Sequence, residues 1–181
     1  SAAIDADRAG AEVLVLEAAS AGGGTSAMSG GLIYLGGGTP IQTECGFEDS
    51  ADDMFEFLMA ASGPEPDEAK IRRYCDESVD HYHWLVECGV PFLAAFHPEP
   101  GLESPDESAL VYSGGEDAYP FDRMVRPAPR AHKPQIAGTA GAFFMERMLA
   151  AVDALEHTRI LADTSARALV VDGDEVVGVV A

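Results

Sequence analysis

The sequence predicts an α/β fold, and three observations support this. The apolar run Val13–Leu16 has the length of a buried strand, and the acid Glu17 ends it. A helix rich in small residues precedes the strand, and Gly10 follows as a left-handed cap. Eight of the 19 glycines then fall between Gly22 and Gly38. Helix, strand, acid and glycine-rich loop in this order predict half of a Rossmann-like dinucleotide-binding site.

Glu17 stands where such folds bind a ribose. An acid at the carboxyl end of the second strand accepts hydrogen bonds from ribose hydroxyl groups. The G-x-G-x-x-G turn expected about 20 residues before this acid does not precede it in the sequence, which begins at Ser1. We therefore expect the chain to be a fragment that lacks the first strand and its glycine-rich turn.

The glycine-rich loop has two interpretations. Loops of this composition are often only flexible linkers. This loop follows a buried strand and contains the hydroxyl side chains of Thr25, Ser26 and Ser29. Backbone amides and hydroxyl groups can therefore approach a pyrophosphate or a ring system without obstruction. The residues favour a nucleotide site and leave the linker as the alternative.

Two helices are predicted after this loop. The first spans residues 51–61, with Ser50 as its N-cap, and the pair Gly63–Pro64 ends it. The second spans residues 66–88, carries apolar residues at helical spacing and ends at Gly89.

A proline-rich stretch, residues 91–134, separates these helices from the last elements. Because so long a loop is usually functional, we expect it to line one side of a substrate cavity. A helix over 139–155, a strand over 159–162 and a hairpin over 168–180 with an Asp-Gly turn follow. Since the second strand of the hairpin reaches the last residue, we expect the protein to continue beyond it.

Composition limits the partners of this chain. A net charge of −20 argues against binding to nucleic acid or to an anionic membrane surface. The sequence has no apolar run of roughly 20 residues, and charged residues interrupt its start, so we expect a cytoplasmic protein without a membrane span. Cys45, Cys75 and Cys88 are an odd number without metal-ligand spacing, which predicts free thiols and no metal site.

Five basic residues lie between positions 123 and 133, where there is no acid. This basic segment comprises Arg123, Arg126, Arg130, His132 and Lys133. In so acidic a chain it indicates a bound anion, either the cofactor pyrophosphate or a carboxylate substrate. The alternative is that these residues pair with neighbouring acids.

The motifs together resemble a flavoprotein family. Residues 17–38 are similar to the flavin-contacting segment of the fumarate reductase and succinate dehydrogenase flavoprotein superfamily, in which a Gly-Gly-x-Ser/Thr turn precedes a Ser/Ala-Gly-Gly step under the isoalloxazine ring. The similarity continues through residues 31–40, 45–47, 112–116 and 127–132. This wider set resembles the 3-ketosteroid dehydrogenases, and among them the 3-ketosteroid Δ4-(5α)-dehydrogenases. Nearly the whole chain is covered.

The resemblance implies an FAD-dependent oxidoreductase. It places FAD contacts at Glu17, Ala18, Ser20, Gly24, Thr25, Ser26, Met28, Ser29, Gly30, Gly31 and Ala166, with the adenine near Ala166. The implied reaction transfers a hydride from a steroid ring carbon to flavin N5, while a tyrosine-based site takes a proton from the adjacent carbon. We expect those tyrosines after Ala181, so no residue of this chain is a catalytic candidate. Tyr34 and Tyr119 are expected to be wall or core residues.

Two alternatives remain open. Carboxylate-reducing members of the superfamily bind substrate through a histidine in an Arg-x-His-x-Pro setting, which makes Arg130 and His132 substrate-proximal candidates in a fumarate- or urocanate-type reductase. A neutral steroid does not need this charge. The other alternative is a folded module that binds no flavin and serves only a structural or interaction role.

The resemblance also suggests a division of the chain. We expect an FAD-binding segment over residues 1–47 and a helical and loop-rich insertion near the substrate cavity over 48–134. The chain then returns to the FAD-binding domain over 135–181, and a catalytic or cap domain follows.

Overall fold

The computed structural model describes residues 1–99 and 103–181, which form two compact units. The first unit contains residues 1–24 and 145–181, and the second contains residues 25–144. In chain order the elements are α1 (Ala2–Arg8), β1 (Val13–Leu16), α2 (Gly24–Ala27), β2 (Ile33–Tyr34), α3 (Pro40–Glu44), α4 (Ala51–Ala61), α5 (Glu68–Asp76), α6 (Ser78–Glu87), β3 (Leu93–Phe96), β4 (Ser108–Val111), a 3₁₀ turn (Phe121–Arg123), β5 (Ala131–His132), α7 (Gly141–Asp153), β6 (Thr158–Leu161), β7 (Ala168–Asp172) and β8 (Glu175–Val180).

In the first unit, β1 pairs in parallel with β6. Helix α1 precedes β1 and buries Ile4, and Gly10 follows with a φ of +85°. Asp7 ties α1 to β6, because its Oδ2 accepts hydrogen bonds of 2.8 Å from the backbone N–H of His157 and the hydroxyl of Thr158. The predicted helix, strand and cap are confirmed.

The predicted hairpin is also confirmed in the first unit. Strands β7 and β8 pair antiparallel, and Gly173 in the turn between them has a φ of +60°. Both strands expose most of their apolar side chains, such as Leu169 and Val177.

The second unit is built on a four-stranded sheet with the order β2–β5–β4–β3. Strand β5 is antiparallel to both of its neighbours, whereas β3 and β4 run parallel. All four residues of β4 are buried. The apolar core of this unit includes Leu35, Ile41, Met54, Phe57, Cys75, Leu85, Val90, Leu110 and Val111.

The prediction of one helix over residues 66–88 is wrong, because α5 and α6 are separate. The break falls at Glu77, whose φ of −92° and ψ of 2° depart from helical geometry. Ser78 begins α6 and is buried, and its Oγ accepts a hydrogen bond of 2.9 Å from the N–H of Gly36. Apolar spacing continues through the break, so periodicity did not reveal it.

Residues 91–134, predicted as loop-rich, also contain strands that the sequence analysis did not predict. This stretch supplies β3, β4 and β5, which are three of the four strands in the sheet, although its residues 100–102 lie outside the described residues. The prolines fall between the strands rather than inside them, so a high proline content does not prevent sheet formation here.

Helix α4 has the predicted bounds, and the Oγ of Ser50 caps it by accepting from the N–H of Asp53. Helix α7 lies within the predicted range of 139–155. The three cysteines are free, with Cys75 and Cys88 buried and Cys45 half-buried. Among the described residues, no helix combines the length and the apolar character that crossing a membrane requires.

Candidate functional site

The predicted cofactor residues divide between the two units. Glu17, Ala18, Ser20, Gly24 and Ala166 belong to the first, whereas Thr25, Ser26, Met28, Ser29, Gly30 and Gly31 belong to the second.

In the first unit, Glu17 directly follows β1. Its backbone N–H donates to the carbonyl of Leu161, and its carbonyl accepts from the N–H of Thr164, both at 2.9 Å. Its Oε1 accepts a hydrogen bond of 2.8 Å from the N–H of Ala19. Because a carboxylate can accept several hydrogen bonds, the Glu17 side chain can also accept hydrogen bonds from ribose hydroxyl groups.

The turn after Glu17 and the region of Ala166 are exposed. Ala18, Ser20 and Gly24 are exposed, and so is Ala166 before β7. Gly22 allows this turn to lie on α7, since an added Cβ would come within 2.9 Å of Leu149. These features suit a backbone surface that a nucleotide can approach.

In the second unit, Ser29 organises the turn after α2. Its hydroxyl donates to the carbonyl of Ser26 at 2.8 Å and accepts from the N–H of Gly31 at 3.2 Å. Thr25, Ser26 and Met28, which precede it, are exposed. A short polar turn is thereby held in one conformation by its own side chain.

Ser29, Gly30 and Gly31 are also joined to the start of α7. The carbonyl of Gly30 accepts from Ala140 at 2.9 Å, and the carbonyl of Ser29 accepts from Gly141 at 3.2 Å. Gly31 has a φ of +76°, and an added Cβ would lie 2.6 Å from backbone atoms of Ala140 and Gly141. Glycine at position 31 is therefore required by both conformation and space.

These glycines form one wall of a cavity of about 520 Å³. We call it the glycine cavity. It is lined by Ser29, Gly30, Gly31, Leu32, Glu103 and Ser113. Its volume is in the range of small-molecule sites, and its glycine wall brings backbone within reach of a flat ring. The residues present therefore fit the flavin ring that the sequence predicts.

A second cavity of about 350 Å³ shares Ser113 with the glycine cavity. We call it the tyrosine cavity. It is lined by His97, Pro98, Glu99, Tyr112, Ser113, Gly115, Asp117 and Ala118. The described residues that line the two cavities include the carboxylates of Glu99, Glu103 and Asp117, and neither lysine nor arginine.

Arg130 of the basic segment is fully buried and paired with an acid. Its Nε donates to Oδ2 of Asp49 at 3.0 Å, and its Nη2 donates to Oδ1 at 2.7 Å. Nearby in the sequence, Arg126 pairs with Glu48 at 2.5 Å on the surface. Pairing with acids, the alternative that the sequence left open, accounts for both arginines.

His132 is fully buried and neutral. Its Nε2 shares a hydrogen bond of 2.8 Å with the hydroxyl of Thr39, and its Nδ1 lies 3.1 Å from the carbonyl of Arg130. Burial lowers the pKa of His132 to about 4, so the ring is uncharged at neutral pH. The substrate-proximal role of Arg130 and His132 stays a prediction, because their contacts in the described chain are with neighbouring protein groups.

Lys133 completes the basic segment and is also buried. Its ammonium group donates to the carbonyls of Ser104, Asp106 and Gly138, at 2.6, 2.5 and 3.1 Å. The lysine thus holds the loop that leads into β4.

Several residues around the cavities were not candidates from the sequence. Ser113 lies in residues 112–116, which the family resemblance covers, but the resemblance assigned no function to this serine. Glu103 carried no signal, because it is one acid among many in a proline-rich stretch. Tyr34 has its hydroxyl buried, as expected of a wall or core residue, whereas Tyr119 is 79% exposed and is not a core residue.

The FAD-binding domain family matches residues 1–181. The chain belongs to this family. The match confirms FAD as the predicted cofactor, together with the predicted α/β flavoprotein fold.

Two of the similar proteins are steroid dehydrogenases. The solved structure of 3-ketosteroid-Δ4-(5α)-dehydrogenase from Rhodococcus jostii RHA1, in complex with 4-androstene-3,17-dione, matches with a TM-score of 0.93 and 49% identity, over 98% of this chain and 38% of that one. The 3-oxo-5-alpha-steroid 4-dehydrogenase of Comamonas testosteroni is 33% identical over 150 residues, which are 80% of this chain and 27% of that protein.

A third similar protein is a reductase subunit. The acrylate reductase flavoprotein subunit of Shewanella woodyi is 35% identical over 99 residues, which are 54% of this chain and 19% of that protein. The chain therefore spans well under half the length of the proteins that it matches.

Proposed function

We propose that this chain is the FAD-binding part of an oxidoreductase that dehydrogenates a neutral 3-ketosteroid. Similarity at 49% and 33% identity to two steroid dehydrogenases supports the substrate class. The observation that supports this choice is electrostatic: carboxylates line the two cavities, whereas Arg130 and Lys133 bind neighbouring protein groups.

The lining favours a neutral ligand over an anion. Glu99, Glu103 and Asp117 contribute formal negative charge to the two cavities that meet at Ser113. Like charges repel, and this repulsion is screened less at the half-buried Glu103 than at the exposed Glu99 and Asp117. A carboxylate substrate meets this repulsion, whereas an uncharged ketone does not.

The buried cations do not offset this repulsion. Arg130 directs two of its nitrogens at Asp49, and Lys133 directs its ammonium group at three carbonyls. His132 carries no charge at neutral pH, because burial lowers its pKa to about 4. Releasing a buried cation from its partners is costly, so these groups are poor candidates for clamping a carboxylate.

In this proposal the chain binds and orients the cofactor. Glu17 would accept the ribose hydroxyl groups, and the glycine cavity would hold the flavin ring. When bound, FAD supplies the acceptor for a hydride. Tyr34 is not suited to act as the base, because burial and the carboxylate of Glu116 raise the pKa of its phenol far above the ordinary value.

Similarity to an acrylate reductase supports a second candidate function, which is reduction of an enoate on the same fold. The carboxylates of the two cavities argue against it. The match to the FAD-binding domain family and the fit of the glycine cavity argue against a flavin-free structural module.

The proposal is tested on the full-length protein. We expect a visible flavin absorbance band in the purified protein and bleaching of this band when a saturated 3-ketosteroid is added without oxygen. A flavin that the steroid leaves oxidised, but that an enoate reoxidises after chemical reduction, would establish the reductase instead. Absence of a flavin band would overturn both enzymatic functions.

A further inference from the structure

Glu103 is the one acidic side chain among the described residues that line the glycine cavity. Its carboxylate lies directly over Gly30, because a Cβ added to Gly30 would overlap Oε2 of Glu103. The absence of a side chain at Gly30 leaves space for the Glu103 carboxylate, and both residues line the glycine cavity.

The loop that carries Glu103 is fixed in place. Lys133 donates to the carbonyls of Ser104 and Asp106, and the Oγ of Ser104 donates to the carbonyl of Ser108 at 2.6 Å. The N–H of Gly138 adds a bond of 3.0 Å to the carbonyl of Pro105. Four hydrogen bonds therefore hold the backbone that follows Glu103, so this acid is attached to a fixed support.

The charge of Glu103 is only partly balanced. Burial lowers the pKa of Lys133, and the carboxylates of Asp106, Glu103 and Glu107 act in the opposite direction. Three acids therefore share one cation, and the formal charge of the group is −2. This excess is negative, and Glu103 is the member of the group that lines the cavity.

We propose that Glu103 sets the charge selectivity of the glycine cavity, admitting a neutral ketone and excluding anionic ligands. The inference rests on the proposed function, because it requires the flavin ring in this cavity. A carboxylate at that position opposes both a carboxylate substrate and any other anion that must reach the flavin.

Sulfite is a suitable probe, because it is an anion that adds to oxidised flavins and removes their visible absorbance. The dissociation constant of sulfite is measured by absorbance titration of the full-length flavoprotein and of Glu103→Gln. Removal of one nearby charge should tighten sulfite binding by about tenfold, equivalent to about 1.4 kcal/mol. The reduction potential of the bound flavin should rise in the same variant.

Two further variants serve as controls. Glu103→Asp keeps the charge and should retain weak sulfite binding. Glu107→Gln removes the same charge from the same loop, but Glu107 is exposed, contacts Gln135 and does not line the glycine cavity. It should change the dissociation constant less than about twofold, since an exposed charge is screened by salt.

The outcomes separate this inference from the proposed function. Equal sulfite affinities in wild type, Glu103→Gln and Glu107→Gln would overturn the role of Glu103, even if a ketosteroid still bleaches the flavin. Equal gains in the two glutamine variants would also overturn it, because the effect would then be general. A protein without flavin would overturn the proposed function itself. If Glu103→Gln loses its flavin, Glu103→Ala provides the same comparison.

Discussion

Arg130 and Asp49 form a two-point ion pair in which neither side chain is accessible to solvent. Oδ2 of Asp49 also accepts from the N–H of Gly37 and from Nε2 of Gln42, both at 2.9 Å. One carboxylate therefore connects the glycine-rich segment, α3 and Arg130, which directly precedes β5. Because Asp49 also accepts these two hydrogen bonds, its loss would leave several buried groups without partners.

Asp49→Asn should strongly destabilise the protein, because it leaves Arg130 charged and unpaired in the interior. We expect a loss of about 3 to 5 kcal/mol in the free energy of unfolding, measured by urea denaturation of the full-length protein. The neighbouring variant Glu48→Gln is a matched control. It breaks the exposed pair with Arg126 and should cost less than about 1 kcal/mol. Similar losses in both variants would contradict the special role of the buried pair.

Gly31→Ala should reduce flavin binding. The added methyl group would overlap backbone atoms of Ala140 and Gly141, and the residue must also hold a φ of +76°. We expect a purified protein with little or no flavin absorbance per chain. Gly46→Ala is the control, because Gly46 has a φ of +83° and an added Cβ there meets nothing within 4 Å. If both variants keep the same flavin content, the steric role of Gly31 is refuted.

His132 should contribute to loss of stability in acid. Burial lowers its folded-state pKa from 6.5 to about 4, so the unfolded chain binds a proton that the folded chain does not. Stability should therefore fall as the pH decreases from about 6.5 to about 4, by roughly 3 kcal/mol in total.

The contribution of His132 is the difference between the pH dependence of stability of wild type and that of His132→Gln. The free energy of unfolding is measured at several pH values for wild type and for His132→Gln, because carboxylates contribute to both curves. The difference between the curves should change across this window. A constant difference would show that His132 does not take up a proton on unfolding in this range.

Ser78→Ala should remove the contact made at the break between α5 and α6. The N–H of Gly36 would lose its partner in a buried position, at a cost of about 1 to 3 kcal/mol in the free energy of unfolding. Ser50→Ala is a comparison, since Ser50 caps α4 and its loss should cost about 1 kcal/mol. Thermal unfolding of both variants checks this, and an unchanged melting temperature for Ser78→Ala would contradict it.

The sequence predicted the elements whose signals are local. The strand that ends at Glu17, the cap at Gly10, the helix after Ser50 and the Asp-Gly hairpin each depend on a few adjacent residues. The break at Glu77 instead lies beside a hydrogen bond between Ser78 and Gly36, which are 42 positions apart. No periodicity within the helical stretch reports such a contact.

The sheet of the second unit was missed for a related reason. Strands β2 and β5 contain only two residues each, so neither shows an alternating pattern. Helix α3 did carry a local signal: Thr39 and Gln42 form a capping box, with Pro40 at the first helical position. These local signals are sufficient to predict α3 from the sequence.

The candidate site was predictable in part. Its glycines are visible in the sequence, because their spacing is local. The partners of the basic segment are not, since Asp49 lies 81 positions from Arg130. Sequence shows that a charge exists, whereas only the fold shows which charge remains available to a ligand.

The burial of Lys133 has a consequence for chemical labelling. The chain contains two lysines, and the side chain of Lys70 is 81% exposed. An amine-directed tag should therefore attach to Lys70 in the folded protein and to both lysines after denaturation. Within this chain, the mass of the modified peptides would report when the loop over Lys133 opens.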